Sequence, residues 1–420
     1  MWLRIAAACL LVFCAIGAMA TGEQRAPVDD ATAALLRPGG QWLTFEGRAD
    51  PRGALVEPVI FDDHVIAART VYHQDWAHRT GPAGTAAGPD FDAATCQGCH
   101  IETQTGRRTG STLRIARPAV VSDRNRYGDQ LTTRYLGDGN AEARVHIETL
   151  VSYFSYADGT ERQLIRPFAY ADTRDGRQVP AALRTAPLLY GWGLLEAIEP
   201  EFLGHFHDPR DRNGDGISGR ASMKDEVHLQ SVPAALGWKA SHKQLSQQIR
   251  AALHNDMGVV SDVSAREIST AELALLTDYV RNLGVPDRRP GASDRGQDLF
   301  GLTGCADCHV TAMLTRADAH PEVAEQLIWP YSDFMLHDMG PELADPGDAR
   351  DAAEWRTAPL WGAGFAEQHL PERGFLHDGR ARDLEEAILW HGGEAERSRI
   401  AFSQLDAHDR ALLLAYVRAL

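Results

Sequence analysis

Cys96-Gln97-Gly98-Cys99-His100 and Cys305-Ala306-Asp307-Cys308-His309 are two copies of one pattern. In each, two residues separate the thiols and a histidine follows the second thiol at once. That spacing lets both thiols add across the vinyl groups of one haem while the imidazole reaches its iron. The other two of the six cysteines, Cys9 and Cys14, lie in an N-terminal apolar run. Every cysteine beyond that run is therefore spoken for. The pattern implies two covalent haems, with His100 and His309 as iron ligands. A zinc site built from the same two cysteine pairs is the competing reading, but it leaves the following histidines and the repetition unexplained.

Residues 1–20 have the form of an export signal. Arg4 is the basic part, Ile5 to Ile16 the apolar part, and Ala18-Met19-Ala20 a small-x-small cleavage site. The apolar part is too short to span a bilayer comfortably, so the expected location is the periplasm, with no stable membrane insertion after cleavage. The chain has 42 basic and 58 acidic residues; without Arg4 the balance is 41 against 58, a net charge of −17. Such a surface repels nucleic acid and anionic membranes. With the thiols on haem, no disulfide is available, and the fold must rest on its core and its cofactors.

More than the haem pattern is repeated. Arg184-Thr185-Ala186-Pro187-Leu188 returns as Arg356-Thr357-Ala358-Pro359-Leu360, and Ala274-Leu275-Leu276-x-x-Tyr279-Val280-Arg281-x-Leu283 returns as Ala411-Leu412-Leu413-x-x-Tyr416-Val417-Arg418-x-Leu420. Three ordered matches imply duplication. The expected fold is mainly α, with two duplicated cytochrome c-like haem domains, the first carrying a β-rich insert. The domains expected are 21–283 and 297–420, joined by a linker at 284–296 rich in Gly, Pro, Asp and Arg. Inserts are expected at about 113–178, read as short strands and turns, and at about 200–232. The last element of each half reads as a helix. In the first half Ser269 caps it, with Glu272 three residues on.

The repeat allows the two halves to be compared position by position. Leu384-Glu385-Glu386-Ala387-Ile388 aligns with Leu245-Ser246-Gln247-Gln248-Ile249. Leu384, Ala387, Ile388 and His391 follow helical spacing, with Asp383 as the cap, so His391 shares the apolar face. Its counterpart in the first half is Ala252, which has no ligand atom. One haem thus gains a candidate sixth ligand, and the other iron stays open to a small molecule such as peroxide. A buried, hydrogen-bonded histidine is the other reading of His391, and Met339 in His337-Asp338-Met339-Gly340 is the rival ligand. Calcium is a further expected cofactor. Asp211-x-Asn213-x-Asp215-Gly216-x-Ser218 places oxygens at alternate positions with Gly sixth, although its twelfth position is Ser222 rather than Glu. A plain Asx-turn loop is the alternative there.

These residues resemble the bacterial di-haem oxidoreductase family, often labelled thiol oxidoreductase. The resemblance runs through Gly191-x-Gly193-Leu194-Leu195-Glu196-Ala197-Ile198, Asp211 to Arg220 and Asp256-Met257-Gly258. It continues through His377-Asp378-Gly379-Arg380-Ala381 and Trp390-His391-Gly392-Gly393-Glu394-Ala395. More distantly the chain looks like the dihaem cytochrome c peroxidases and the dihaem enzyme that matures methylamine dehydrogenase. That likeness implies Trp238 between the haems, with Gln248 and Asp256 in the pocket of the open one. Asp256 replaces the usual Glu, two positions off the expected spacing; a helix-end or calcium carboxylate is its other reading, and a core residue is that of Trp238. The likeness also implies a second calcium near Thr357 and Pro359. The distal histidine of the peroxidases has no counterpart ahead of Thr185. No cysteine pair remains for thiol chemistry.

The expected function is that of an exported dihaem c-type oxidoreductase, peroxidase-like. Its open N-terminal haem would react with peroxide, and its six-coordinate C-terminal haem would transfer electrons. Its partner would be a small electron-donor protein or a protein substrate. A non-catalytic dihaem electron-transfer protein is the alternative.

Overall fold

The computed structural model describes residues 44–45, 63–76, 80–81, 84–85, 90–100, 111–115, 130–135, 140–222, 235–259, 268–346 and 351–420. The export signal at 1–20 lies outside the described residues. No described helix is long and apolar enough to cross a membrane.

The helices labelled here are α1 (Asp63–Tyr72), α2 (Gln97–His100), α3 (Trp192–Ala197), α4 (Leu245–Met257), α5 (Thr270–Arg281), α6 (Asp294–Leu302), α7 (Ala363–His369), α8 (Leu384–Leu389) and α9 (Ala407–Ala419). Apolar spacing decides how they pack. Val65, Ala68 and Tyr72 of α1 meet Leu273, Leu276 and Val280 of α5 in a first core. Leu299 and Phe300 of α6 meet Leu413, Tyr416 and Val417 of α9 in a second. The Ser269 cap forms as expected: its hydroxyl accepts from Glu272 N at 3.1 Å, and Glu272 Oε2 accepts from Ser269 N at 2.9 Å.

The repeated segments meet in matching ways. A Cβ on Gly193 in α3 would lie 2.3 Å from the Arg281 carbonyl oxygen, and one on Gly364 in α7 would lie 2.0 Å from that of Arg418. Only glycine lets these backbones approach so closely. Glu196 accepts from Leu245 N at 2.9 Å and pairs with Arg281, while Glu367 accepts from Leu384 N at 3.0 Å and pairs with Arg418. Leu245 and Leu384 are thus held alike, which supports the alignment that sets Ala252 against His391.

The fold class read from the sequence is nonetheless corrected. The architecture is mixed, 36% helical and 21% strand, rather than mainly α with two duplicated cytochrome c domains. The reason lies chiefly in one sheet of five antiparallel strands: β1 (Ser111–Ile115), β2 (Gln130–Leu131), β3 (Ala143–Ser155), β4 (Glu161–Thr173) and β5 (Gln178–Thr185), in the order β2-β1-β5-β4-β3. The short strands expected in this region are in part long ones. β3 and β4 pair in unbroken register from Ala143↔Thr173 to Ser155↔Glu161. Gly159, at φ 80°, supplies the left-handed residue of their turn. The far end of this hairpin is anchored in the second core, where Tyr156 and Leu164 are buried. Tyr156 Oη donates to Glu385 at 2.8 Å, and Arg410 pairs with Asp158 at 2.6 Å. β5 then delivers Arg184 and Thr185 to the middle of the molecule.

The close backbone approaches give a direct test. Gly364→Ala should lower the unfolding free energy in urea by about 1–3 kcal/mol, because the carbonyl it meets cannot swing away. Gly204→Ala, in the helix Pro200–His205 with nothing within 4 Å of its Cβ, should be neutral or stabilising by up to about 1 kcal/mol.

Candidate cofactor-binding sites

The first motif forms α2, opened by Thr95, whose Oγ1 accepts from Gly98 N at 3.0 Å. His100 Nδ1 lies 2.9 Å from the Pro187 carbonyl oxygen. A carbonyl can only accept, so Nδ1 carries the hydrogen and Nε2 keeps its lone pair for a metal. Burial lowers the His100 pKa to about 4, which keeps the ring neutral. Cys96 and Cys99 are unpaired thiols. Burial pushes Cys96 up to about 12 and raises Cys99 as well, with Asp256 adding to both. These three residues line a cavity of 1240 Å³, larger than the roughly 300–1,000 Å³ typical of small-molecule sites.

The cavity brings together residues far apart in sequence. Trp238, Gln248, Ala252 and Asp256 all line it with Cys96 and His100. Gln248, Ala252 and Asp256 project from α4, at helical spacings of four. Asp256 Oδ1 accepts from Gln130 Nε2 at 2.6 Å, and its backbone oxygen accepts from Asp92 N at 2.7 Å. The carboxylate is thus fixed between β2 and the thiols. Trp238 follows Gly237, which is at φ 81°. Its Nε1 donates to the Thr185 oxygen at 2.7 Å, and its own carbonyl accepts from Arg356 N at 3.1 Å. The indole also packs on the core that holds Cys305, so it touches the surroundings of both motifs.

The second motif repeats the histidine geometry with a different acceptor. His309 Nδ1 donates to the Tyr331 oxygen at 2.9 Å. Burial lowers its pKa to about 4, and the nearby His391 pushes in the same direction. α8 begins as expected, with Asp383 accepting from Glu386 N at 2.9 Å. It stops at Leu389, however, so His391 sits just beyond the helix, its Nδ1 donating to Ala387 O at 2.7 Å. Nε2 is again left for a metal. Met339 is next door: its carbonyl oxygen is 3.0 Å from where a Gly392 Cβ would be. The backbones next to the two rival ligands therefore meet.

Two features of this region escaped sequence reasoning. His337 is a buried imidazole held between Asp333 and Glu394, each at 2.8 Å. Burial pulls its pKa down, but hydrogen bonds with Asp333, Cys308 and Glu394 outweigh this and push it up to about 12. Cys308, Asp333 and His337 are close enough to hold a metal ion. A thioether at Cys308 would take that thiol out of such a set. Cys96 and Cys305 pack against different cores, which argues against one four-thiol zinc site. The second feature is Lys239, one of only three lysines in the chain. Its ammonium donates to the carbonyls of Asp351, Ala352 and Glu354 and lies 3.4 Å above the Trp355 ring. Burial lowers it to about 7; three acceptors and an aromatic face favour keeping the proton. The scarcity of lysine was the one available signal. His377 is no ligand here: it stacks on Trp355 at 3.6 Å, and its carbonyl accepts from Thr185 N at 2.7 Å.

The two expected calcium sites fare differently. In the exposed loop, Asp211 Oδ1 and Asn213 Oδ1 converge on Asp215 N at 3.0 and 3.3 Å, and Asp215 Oδ1 accepts from Ile217 N at 2.8 Å. These bonds form an Asx-turn loop, and the converging oxygens also suit a calcium ion. Ser218, in the same loop, donates to Glu394. At Thr357 the carbonyl is already bonded within the protein. It accepts from Ser332 Oγ at 2.8 Å and from the buried Arg356 guanidinium at 3.0 Å, which uses both lone pairs.

Glu394 joins the loop to the second motif, since both Ser218 and His337 bond to it. Glu394→Ala should cost about 1–3 kcal/mol by leaving those donors unpaired. Trypsin cleavage after Arg210 or Arg212 should quicken in the native protein; unchanged cleavage would show that the loop does not depend on this carboxylate.

The comparisons agree with this picture where they reach. Residues 268–420 match the family model described as "Di-haem oxidoreductase, putative peroxidase". No curated protein and no solved structure matches the chain. The matched span carries the second motif, His337, Met339, His391 and α9, and over that span the chain is similar to this family, in line with the resemblance of its motifs.

Proposed function

We propose that this protein is an exported dihaem c-type oxidoreductase that reacts with peroxide at its N-terminal haem. The observation that carries the proposal is the matched pair of Ala252 and His391: a large cavity beside a methyl group at one motif, and a second imidazole beside the other. Cys96, Cys99 and His100 would hold the first haem; Cys305, Cys308, His309 and His391, or Met339 in place of His391, the second. When bound, haem iron supplies the redox chemistry, and an open axial position admits peroxide.

The chain's own residues would do the rest. Pro187 and Tyr331 fix the tautomers of the two proximal histidines. Gln248 gives the first cavity a polar wall. Asp256, anchored by Gln130, is placed to hold or move a proton at its carboxylate oxygen. Trp238 spans the space between the two cores and is the proposed path for electrons. The converging oxygens of Asp211, Asn213 and Asp215 support a bound calcium beside the second motif. The acidic surface argues against nucleic acid and favours a small donor protein or protein substrate in the periplasm.

Mass spectrometry of the mature protein should show two added haems, and Cys96→Ala should remove one of them. His391→Ala should convert one low-spin electron paramagnetic resonance signal to high spin and leave the first haem unchanged. If Met339→Ala does so instead, Met339 is the ligand.

Cyanide should bind one haem of two, and peroxide should change the oxidised spectrum. Asp256→Ala should slow that change by roughly 10²-fold if the acid carries the proton. Two low-spin haems indifferent to peroxide, even with the second haem reduced, would establish a non-catalytic electron carrier.

A further inference from the structure

Tyr72, the last residue of α1, is 1% exposed and lines the cavity of the first motif. Its hydroxyl has no hydrogen-bond partner. Burial raises its pKa well above the usual phenol value, and Cys96, Tyr279 and Cys99 act in the same direction, which places the phenol within electrostatic reach of the haem-binding thiols. Two other cavity residues have a buried unpaired atom, Asp345 at Oδ1 and Arg220 at Nε, but each pairs through another atom of the same group, with Arg184 and Glu354. For Tyr72 the hydroxyl is the only polar atom of the side chain.

A buried donor left unsatisfied costs about 1–3 kcal/mol. Phenylalanine would avoid that cost, and the other half of the chain uses it. Tyr279 and Tyr416 are matched positions of the repeat. The ring of Tyr72 lies on Tyr279 at 4.7 Å, and the ring that α6 lays on Tyr416, at 5.5 Å, is Phe300. The packing ring from α1 thus carries a hydroxyl beside the open cavity, and the ring from α6 carries none; the hydroxyl near Tyr416 comes from Tyr331 and is bonded to it. Packing alone does not call for the oxygen, so its partner is to be sought in what the cavity holds.

We infer that Tyr72 donates a hydrogen bond to an acceptor that the haem brings into the first cavity, a contact the second haem lacks. This rests on the dihaem reading above. The acceptor belongs either to the haem itself or to the small ligand on its iron. In both cases a donor aimed at a group that gains negative charge on reduction favours the reduced form, so the contact raises the potential of the first haem relative to a site without it.

The test is a redox titration of the holoprotein and of Tyr72→Phe, each first shown by mass spectrometry to carry both haems. The expected result is a lower potential for the first haem in the variant and an unchanged second one. Cyanide titration separates the two sources: a weaker affinity in the variant assigns the acceptor to the iron's ligand, and an unchanged affinity with a shifted potential assigns it to the haem. A loaded variant in which neither quantity moves overturns the contact alone. A wild-type protein without haem on Cys96 and Cys99 overturns the dihaem reading and the contact with it.

Discussion

A buried imidazole that must keep Nε2 open has to spend its Nδ1 hydrogen on an acceptor that cannot move. His100 and His309 both meet this demand with a backbone carbonyl, and much of the architecture serves to present those two oxygens. Pro187 stands two residues beyond the end of β5, so the five-stranded sheet sets its position. Tyr331 presents its carbonyl from a left-handed backbone, φ 53°, which is costly for a residue with a side chain. Its hydroxyl is held by Tyr416 Oη and Arg288, both at 3.1 Å, and the ring is buried. The strain is local, and the second core that imposes it also orients the ligand.

Sequence reasoning reached the parts that local chemistry encodes. The two Cys-x-x-Cys-His motifs are legible as written, and the Ser269 cap follows from side-chain and backbone partners three residues apart. The aligned Leu245 and Leu384 follow from the repeat. It failed on the fold class because the repeated segments leave out most of the five-stranded sheet. Alternation in Ala143 to Ile147 gives a strand but not its length, and nothing local says that the hairpin of β3 and β4 ends in the core of the other half. The contacts of Tyr156 with Glu385 and of Asp158 with Arg410 span 229 and 252 residues, and no window of sequence contains both partners.

The candidate site divides along the same line. Trp238, Gln248 and Asp256 were named because they resemble known positions, and the cavity gathers them. His337 and Lys239 were legible only as members of motifs. What makes them distinctive, two carboxylates around one imidazole and three carbonyls around one ammonium, is assembled from segments far apart. Scarcity was a better guide than motif for Lys239, since a chain with three lysines and an abundance of arginine has chosen a compact cation there.

The two motifs end in surroundings of opposite character. Around the second, backbone fills the space: a Cβ on Gly393 would lie 2.1 Å from Asp338 O, and one on Gly340 would lie 2.8 Å from Gly393 N. These contacts bring the 338–340 and 392–393 backbones together, and Glu394 ties His337 to Ser218 of the loop beyond. Around the first, α4 offers a methyl group, an amide and a carboxylate to a cavity. A packed site resists rearrangement on a change of charge, which suits electron transfer; an open one admits a molecule, which suits chemistry. The glycines that close one site lie outside α8, whereas the alanine that opens the other lies within α4.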